Sequence, residues 1–146
     1  MMEPRDKTEV ARLVCDRRWK LKHLKSFRTQ FGDHALFDAL YEPFDSASEA
    51  GYTFNDQQIA GNLLLELQPA CSMTAKEAIQ RSLHQWNRSV EELPFYLANF
   101  FGREAVLAAV DEIAKRSDLG DQATDELRTY RFWLQAKVLA TKQQDA

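Results

Sequence analysis

Residues 89–116, SVEELPFYLANFFGREAVLAAVDEIAKR, carry the clearest fold signal in the chain. The first half of this stretch is densely apolar and stops at Gly102, a residue type that favours the left-handed conformation found at many helix ends. The second half places Val106, Val110 and Ile113 on one helical stripe, with its charged residues on the other side. The stretch therefore predicts two consecutive helices, over residues 94–101 and 103–116.

The start of the first of these helices is marked by two competing signals. Ser89 and Glu92 have the spacing of a capping box, in which a hydroxyl and a carboxylate satisfy free backbone N–H groups. Pro94 follows too soon for an uninterrupted helix, because its ring would clash with the carbonyl four residues earlier. We expect a turn after the box and a helix that starts at Pro94.

Helical periodicity continues through the rest of the chain. Only five glycines and four prolines interrupt the 146 residues, and segments of alternating β-branched residues are lacking. Three further helices are predicted before residue 66: residues 5–27 with Pro4 in the first turn, a short helix capped by Asp33 that stops before Pro43 and carries Leu36, Phe37, Leu40 and Tyr41, and a helix from an Asn55 cap to Leu65. Another helix follows a Thr74–Glu77 capping box and has Ala78, Ile79, Leu83 and Trp86 on its apolar face. The last predicted helix runs from Asp121 to about Lys142, with one apolar stripe of Leu127, Tyr130, Leu134 and Val138 and a second of Phe132, Ala136 and Leu139. The sequence thus predicts an all-α fold, a single irregular bundle of six or seven helices that forms one domain over residues 1–146.

The composition favours a cytoplasmic protein with no membrane partner. Nineteen basic residues against twenty-two acidic ones give a net charge of −3, which argues against a DNA mimic or a general polyanion binder. The first residues, MMEPRDKTEVAR, are charged where a signal peptide needs an apolar run, and no stretch approaches the roughly 18 to 20 apolar residues that span a bilayer. Cys15 and Cys71 lack paired spacing and are expected to be free thiols.

A basic segment between Arg12 and Arg28 is the most unusual local feature, with seven cations and one acid. On one continuous helix Trp19 would lie among the cations, apart from the leucines. Basic groups around an aromatic ring suit an acidic protein, and they also suit a phosphate backbone. The alternative is that Trp19 packs against a second helix while the basic side chains pair with acids elsewhere in the chain. The candidate partner-binding residues are Arg12, Arg18, Trp19, Lys22, His23 and Lys25.

A second candidate site is the aromatic cluster within residues 86–101. Aromatic residues at helical spacing are typical of a core, and they can also line a partner groove or a small-molecule pocket. Glu91 and Glu92 do not suggest an acid/base pair, because neighbouring side chains on a helix diverge by about 100°. The candidate pocket residues are Trp86, Phe95, Tyr96 and Phe100.

Motifs for catalysis, metal binding or cofactor binding are lacking in the sequence. The three histidines, His23, His34 and His84, stand apart, and neither cysteine has a metal-ligand neighbour. The five glycines are isolated, so no phosphate-binding loop is present, and G-x-S-x-G does not occur. The sequence predicts no metal, no cofactor and no catalytic residue.

These observations predict a protein-binding or regulatory protein without chemistry of its own, such as an inhibitor, an immunity factor, an adaptor or a regulatory subunit. Nucleic-acid binding through the basic first helix is the alternative. A third hypothesis is an enzyme whose active site assembles only in three dimensions. A homodimer is also open, because surplus aromatic residues can be buried within one chain or across a symmetric interface.

Overall fold

A computed structural model of the chain describes the backbone of residues 6–145 and the side chains of residues 6–135. Within that part every regular element is helical, and no strand occurs. The predicted all-α bundle is therefore confirmed, and the described residues form eight α-helices where six or seven were expected. The helices are α1 Lys7–Cys15, α2 Leu21–Phe31, α3 Asp33–Tyr41, α4 Phe54–Leu67, α5 Ala75–Ser82, α6 Glu92–Phe101, α7 Arg103–Ala114 and α8 Asp121–Asp145, with a 3₁₀ turn at Glu42–Phe44.

The helices pack around one cluster of buried apolar side chains to which all eight contribute. Helices α1 and α2 pack on α3, and α4 links this first half to α6. In the second half α6 contacts α7 and α8, while α7 also contacts α5. Three tyrosines lie in the core with paired hydroxyl groups, because a buried O–H without a partner would be costly. Tyr41 Oη donates to the Ala78 carbonyl at 2.5 Å and Tyr96 Oη to the Pro69 carbonyl at 2.6 Å, while the Tyr130 and Ser82 hydroxyls are 2.6 Å apart.

The prediction of one helix over residues 5–27 is wrong, because the segment forms two helices separated by Asp16–Lys20. Pro4 and Arg5 lie outside the described residues. The helical grouping that placed Trp19 beside Arg12 therefore does not apply, since the two residues belong to different elements.

A Schellman motif ends α1 at this break. The Arg17 N–H donates to the Val14 carbonyl at 3.0 Å, and the Arg18 N–H donates to the Leu13 carbonyl at 2.9 Å. Arg17 has a φ of +59°, the left-handed conformation that glycine usually supplies at this position. The break escaped prediction because arginine stands where a glycine would have signalled it.

The capping box at Thr74 is confirmed. The Glu77 N–H donates to Thr74 Oγ1 at 3.1 Å, and the Thr74 N–H donates to Glu77 Oε1 at 3.3 Å. The Asn55 cap is wrong, because α4 begins earlier behind a box formed by Thr53 and Asp56. A short side chain three residues before an acid was thus the correct signal in both helices.

Two further start signals were interpreted wrongly. Gly32, not Asp33, precedes α3, and the Asp33 carboxylate instead pairs with Arg28. The Ser89–Glu92 box does not form, and α6 begins at Glu92 without a side-chain cap. Pro94 is tolerated in the first turn of α6 because N–H groups there have no acceptor within the helix.

The apolar face predicted for α5 and the first stripe predicted for α8 are buried where the structure describes their side chains. Helix α5 ends at Ser82, so Leu83 and Trp86 lie in the segment after the helix, although both are buried as predicted. In α8 Phe132 is 58% exposed, so the second predicted stripe is not covered at that position. The remaining predicted stripe residues of α8, Ala136, Val138 and Leu139, lie outside the described side chains. The first stripe is buried at Leu127, Tyr130 and Leu134.

Candidate functional site

The basic corner, defined here as Arg17, Arg18, Lys20, Lys22 and Lys25, covers the turn after α1 and the start of α2. All five side chains are exposed, and none forms an ion pair with another described residue. The first turn of α2 contains no acid, although the N-terminal end of a helix carries partial positive charge. Asp16, the C-cap of α1, is the only acid among residues 16–25, so positive charge predominates at this corner.

Trp19 and His23 form the packed centre of the corner. Their rings stack with centroids 6.1 Å apart, and the Trp19 ring also contacts Phe27 at 5.8 Å. His23 Nδ1 accepts the Lys20 N–H at 2.9 Å, which satisfies one of the free donors at the start of α2. These two candidate residues thus hold the turn in place and are only partly exposed.

Arg12, the remaining candidate of the basic segment, faces a different part of the molecule. Its guanidinium lies 4.6 Å from the centre of the Tyr52 ring and donates to the Gly51 carbonyl at 3.2 Å. Arg28 is also engaged, because it pairs with Asp33 at 2.7 Å. The structure therefore brings five cations of the segment together and uses the other two in internal contacts.

The four candidate residues of the aromatic cluster lie in three different environments. Trp86 and Tyr96 belong to the core, where Trp86 contacts Tyr130 with ring centroids 4.3 Å apart. Phe95 lines a cavity of about 390 Å³ between α4, α6 and α8. Phe100 is 45% exposed. The cluster is thus divided between the core, one groove and the surface.

A larger cavity, called the polar cleft here, opens between the start of α8 and residues 83–91, the cleft loop. Its volume is about 480 Å³, within the range of small-molecule sites. Its walls combine charged, amide and hydroxyl side chains with one aromatic ring. The lining residues are Trp86, Asn87, Arg88, Ser89, Gln122, Asp125 and Glu126.

Glu126 is a buried carboxylate in this cleft, only 2% exposed. Both of its oxygens accept the His84 N–H, at 2.9 and 3.0 Å. Burial raises the pKa of Glu126 above its usual range, although the His84 hydrogen bond and the positive charge of Arg88 act in the opposite direction. His84 itself has a φ of +72°, so the carboxylate anchors a backbone conformation that is unfavourable for histidine.

Hydrogen bonds from other helices hold the cleft loop. Gln57 on α4 donates from Nε2 to the Gln85 carbonyl and accepts the Asn87 N–H at Oε1, each at 2.8 Å. Trp133 on α8 donates from Nε1 to the Arg88 carbonyl at 2.9 Å. The backbone of the cleft loop is therefore held in place by side chains of two helices, α4 and α8.

The sequence analysis missed the polar cleft, although one signal for it existed. Glu126 occupies the same helical stripe as Ala123, Leu127 and Tyr130, where a core residue is expected. An acid on an apolar stripe needs a buried partner or a function. Arg88 had no comparable signal, because a charged residue in a loop is ordinary.

A clustered metal site and a reactive thiolate are not supported by the described residues. No group of three or more histidines, cysteines and acids among residues 6–135 could hold a metal ion. Burial raises the pKa of the free Cys15 thiol to about 12 and that of Cys71 to about 11, which disfavours the reactive thiolate. Among the helices as described, none has the length and apolar character needed to cross a bilayer.

Comparisons with known proteins returned no match among family models, curated proteins or solved structures. The class that the fold itself defines is an all-α helical bundle with a basic corner and a polar cleft.

Proposed function

We propose that this chain is a regulatory binding protein, of the inhibitor, immunity-factor, adaptor or regulatory-subunit kind, which recognises an acidic segment of a protein partner through the basic corner. The observation that carries the proposal is the accumulation of five exposed cations, without ion pairs to described residues, within nine residues of a chain whose net charge is −3. Such a local field attracts and orients an anionic surface.

The position of Lys22 supports a binding role over a purely structural one. It lies in the first turn of α2, where an acid would be worth about 0.3–1 kcal/mol through the helix dipole. A lysine there opposes the dipole and lies close in sequence to other cations. A negatively charged partner would remove both unfavourable terms.

The packing of Trp19 favours a protein partner over nucleic acid. Sequence-tolerant binding of single strands uses aromatic faces on which bases can stack. The Trp19 ring is instead engaged with His23 and Phe27.

The test compares binding of a glutamate-rich peptide and a single-stranded oligonucleotide of equal charge, by fluorescence anisotropy at low and moderate salt. Reversing two cations of the corner, Lys22→Glu with Lys25→Glu, should weaken peptide binding roughly tenfold or more. The matched control reverses two exposed cations just after the end of α7, Lys115→Glu with Arg116→Glu, and should leave binding unchanged.

The outcomes separate the hypotheses. If neither probe binds at low salt, or if both double variants weaken binding equally, the proposal is wrong. If the oligonucleotide binds and the peptide does not, the nucleic-acid alternative replaces it. Thermal unfolding of Lys22→Glu alone provides a further check, since an acid in the first turn of α2 should stabilise the fold while the variant loses binding.

A further inference from the structure

The polar cleft lies apart in sequence from the basic corner, and the proposed function does not use it. Its two walls carry opposite charges. The cleft loop contributes Arg88, and the first turns of α8 contribute Asp125 and Glu126. A cavity of about 480 Å³ between such walls can hold a small ligand that carries both charges.

On the acidic wall, the buried Glu126 carboxylate accepts the His84 N–H at both oxygens and a side-chain hydrogen bond from Gln122. A carboxylate has about four acceptor sites, so further donors can be accommodated. Desolvation dominates its electrostatics and keeps its pKa raised. A cationic group in the cleft would supply the compensation that the protein leaves incomplete.

On the basic wall, the Arg88 side chain is exposed and its guanidinium forms no hydrogen bond with another described residue. Its backbone is nevertheless fixed, because Trp133 Nε1 donates to its carbonyl at 2.9 Å. A guanidinium carried by backbone that is fixed in this way can bind a carboxylate through two parallel hydrogen bonds.

We propose that the polar cleft binds a small zwitterion, between a free amino acid and a dipeptide in size. The ligand's ammonium group lies against Glu126 and Asp125, and its carboxylate pairs with Arg88. The Asn87 Nδ2 group and the Ser89 hydroxyl line the same cleft and can bind its remaining polar atoms.

The mixed charge of the walls selects this class over simpler ions. A ligand with only negative charge would face two carboxylates, and one with only positive charge would leave Arg88 against a like charge. A zwitterion satisfies both walls at once. The hydrogen bonds that fix the cleft loop reduce the ordering cost of binding.

The experiment is an NMR titration of the ¹⁵N-labelled protein at millimolar concentrations of probe. The probes are the free L-amino acids, L-alanyl-L-alanine, its N-acetyl derivative without the ammonium, and its C-terminal amide without the carboxylate. At least one zwitterionic probe should shift amide signals of residues 86–89 and 122–126, and blocking either end of a bound dipeptide should weaken affinity roughly tenfold or more.

Variants connect the binding to the two walls. Arg88→Gln should weaken binding of the zwitterion roughly tenfold, whereas Arg116→Gln, an exposed arginine on the surface near the end of α7, should have no effect. Asp125→Asn tests the acidic wall without altering a buried group. If no zwitterionic probe shifts these signals, or if Arg88→Gln binds as tightly as the wild type, the inference is overturned.

Discussion

Arg17 occupies a backbone conformation that glycine would adopt at lower cost. Its φ of +59° places Cβ close to the following carbonyl, which costs about 1–2 kcal/mol for a residue with a side chain. Replacing Arg17 with glycine removes this cost, but part of the gain in stability is lost because glycine also has more freedom in the unfolded chain. We expect Arg17→Gly to raise the free energy of unfolding by about 0.5–1 kcal/mol in urea titrations.

Arg18→Gly is the matched control, because Arg18 is not among the residues with positive φ. That variant should lower stability, since glycine gains only unfolded-state freedom there. Equal effects of the two variants would show that the conformation of Arg17 has no energetic significance.

The raised pKa of Glu126 makes its contribution to stability depend on pH in a direction opposite to that of most acids. The folded protein holds the proton to a higher pH than the unfolded chain does, so this contribution is present at low pH and is lost as the pH rises above 4.5. Glu126→Gln keeps an acceptor for His84 and removes the titration. The variant should therefore gain stability relative to the wild type as the pH rises, measured by urea unfolding at several pH values.

Asp33 provides a control of opposite sign. The hydrogen bonds from Arg28 and from the Ala70 N–H lower the pKa of Asp33, so its stabilising contribution is present at neutral pH and lost as the pH falls below 3.8. The difference between wild type and Asp33→Asn should shrink towards low pH. A pH-independent difference for Glu126→Gln would contradict the burial of a titrating carboxylate at that site.

At the scale of helices, the contact between α4 and α6 depends on Gly61. A Cβ at this position would lie 2.9 Å from Glu92 Cβ and 3.3 Å from Val90 Cγ1. Glu92 Cβ is attached directly to the backbone of α6, so relief requires the helices to separate. We expect Gly61→Ala to destabilise the protein by about 1 kcal/mol or more in thermal unfolding, despite the better helix propensity of alanine.

Asn62→Ala, at the exposed neighbouring position, isolates the propensity effect. This variant should be neutral or slightly stabilising. A stabilising effect of both substitutions would mean that α4 and α6 do not pack as closely as described.

The helices were predictable where an apolar stripe or a capping box marks them, as with Thr74 and Glu77. The errors occurred where a local signal was absent or misleading. The end of α1 could not be predicted from the sequence, because the left-handed backbone conformation at Arg17 has no signal in the residue type. Pro94 suggested a later start for α6, yet a proline is compatible with any position in the first turn.

At the scale of the whole molecule, Gln57 connects three parts of the fold. Its amide donates to the carbonyls of Pro43 and Gln85 and accepts the Asn87 N–H, all within 3.1 Å. The side chain is 3% exposed, so water cannot replace these partners at low cost. Gln57→Glu removes both donated bonds and buries a charge, and it should cost about 3 kcal/mol or more.

Chemical denaturation of Gln57→Glu as a function of pH checks this expectation. Stability should recover partly at acid pH, because a protonated carboxyl can donate one hydrogen bond again. Gln58→Glu at the neighbouring, less buried position should show neither the loss nor the recovery. A loss of similar size in both variants would count against the role of Gln57.

The candidate sites were predictable to different degrees for the same physical reason. The cations of the basic corner are close in sequence, so composition alone marked Arg18, Lys22 and Lys25. The polar cleft joins Arg88 to Glu126, which come together only through the packing of α8. Sequence periodicity assigns a residue to a face of its own helix, but it does not identify the loop that this face will meet.

The dependence of the cleft loop on α8 also fixes an order of events during synthesis. His84 and Arg88 emerge from the ribosome about forty residues before their partners Glu126 and Trp133, whose bonds span 42 and 45 positions. Until α8 has been made, the His84 N–H and the Arg88 carbonyl lack these two partners and can hydrogen-bond to water instead. The cleft loop is thus completed later than its place in the sequence suggests, and the nascent protein acquires its cleft only after α8 has been synthesised.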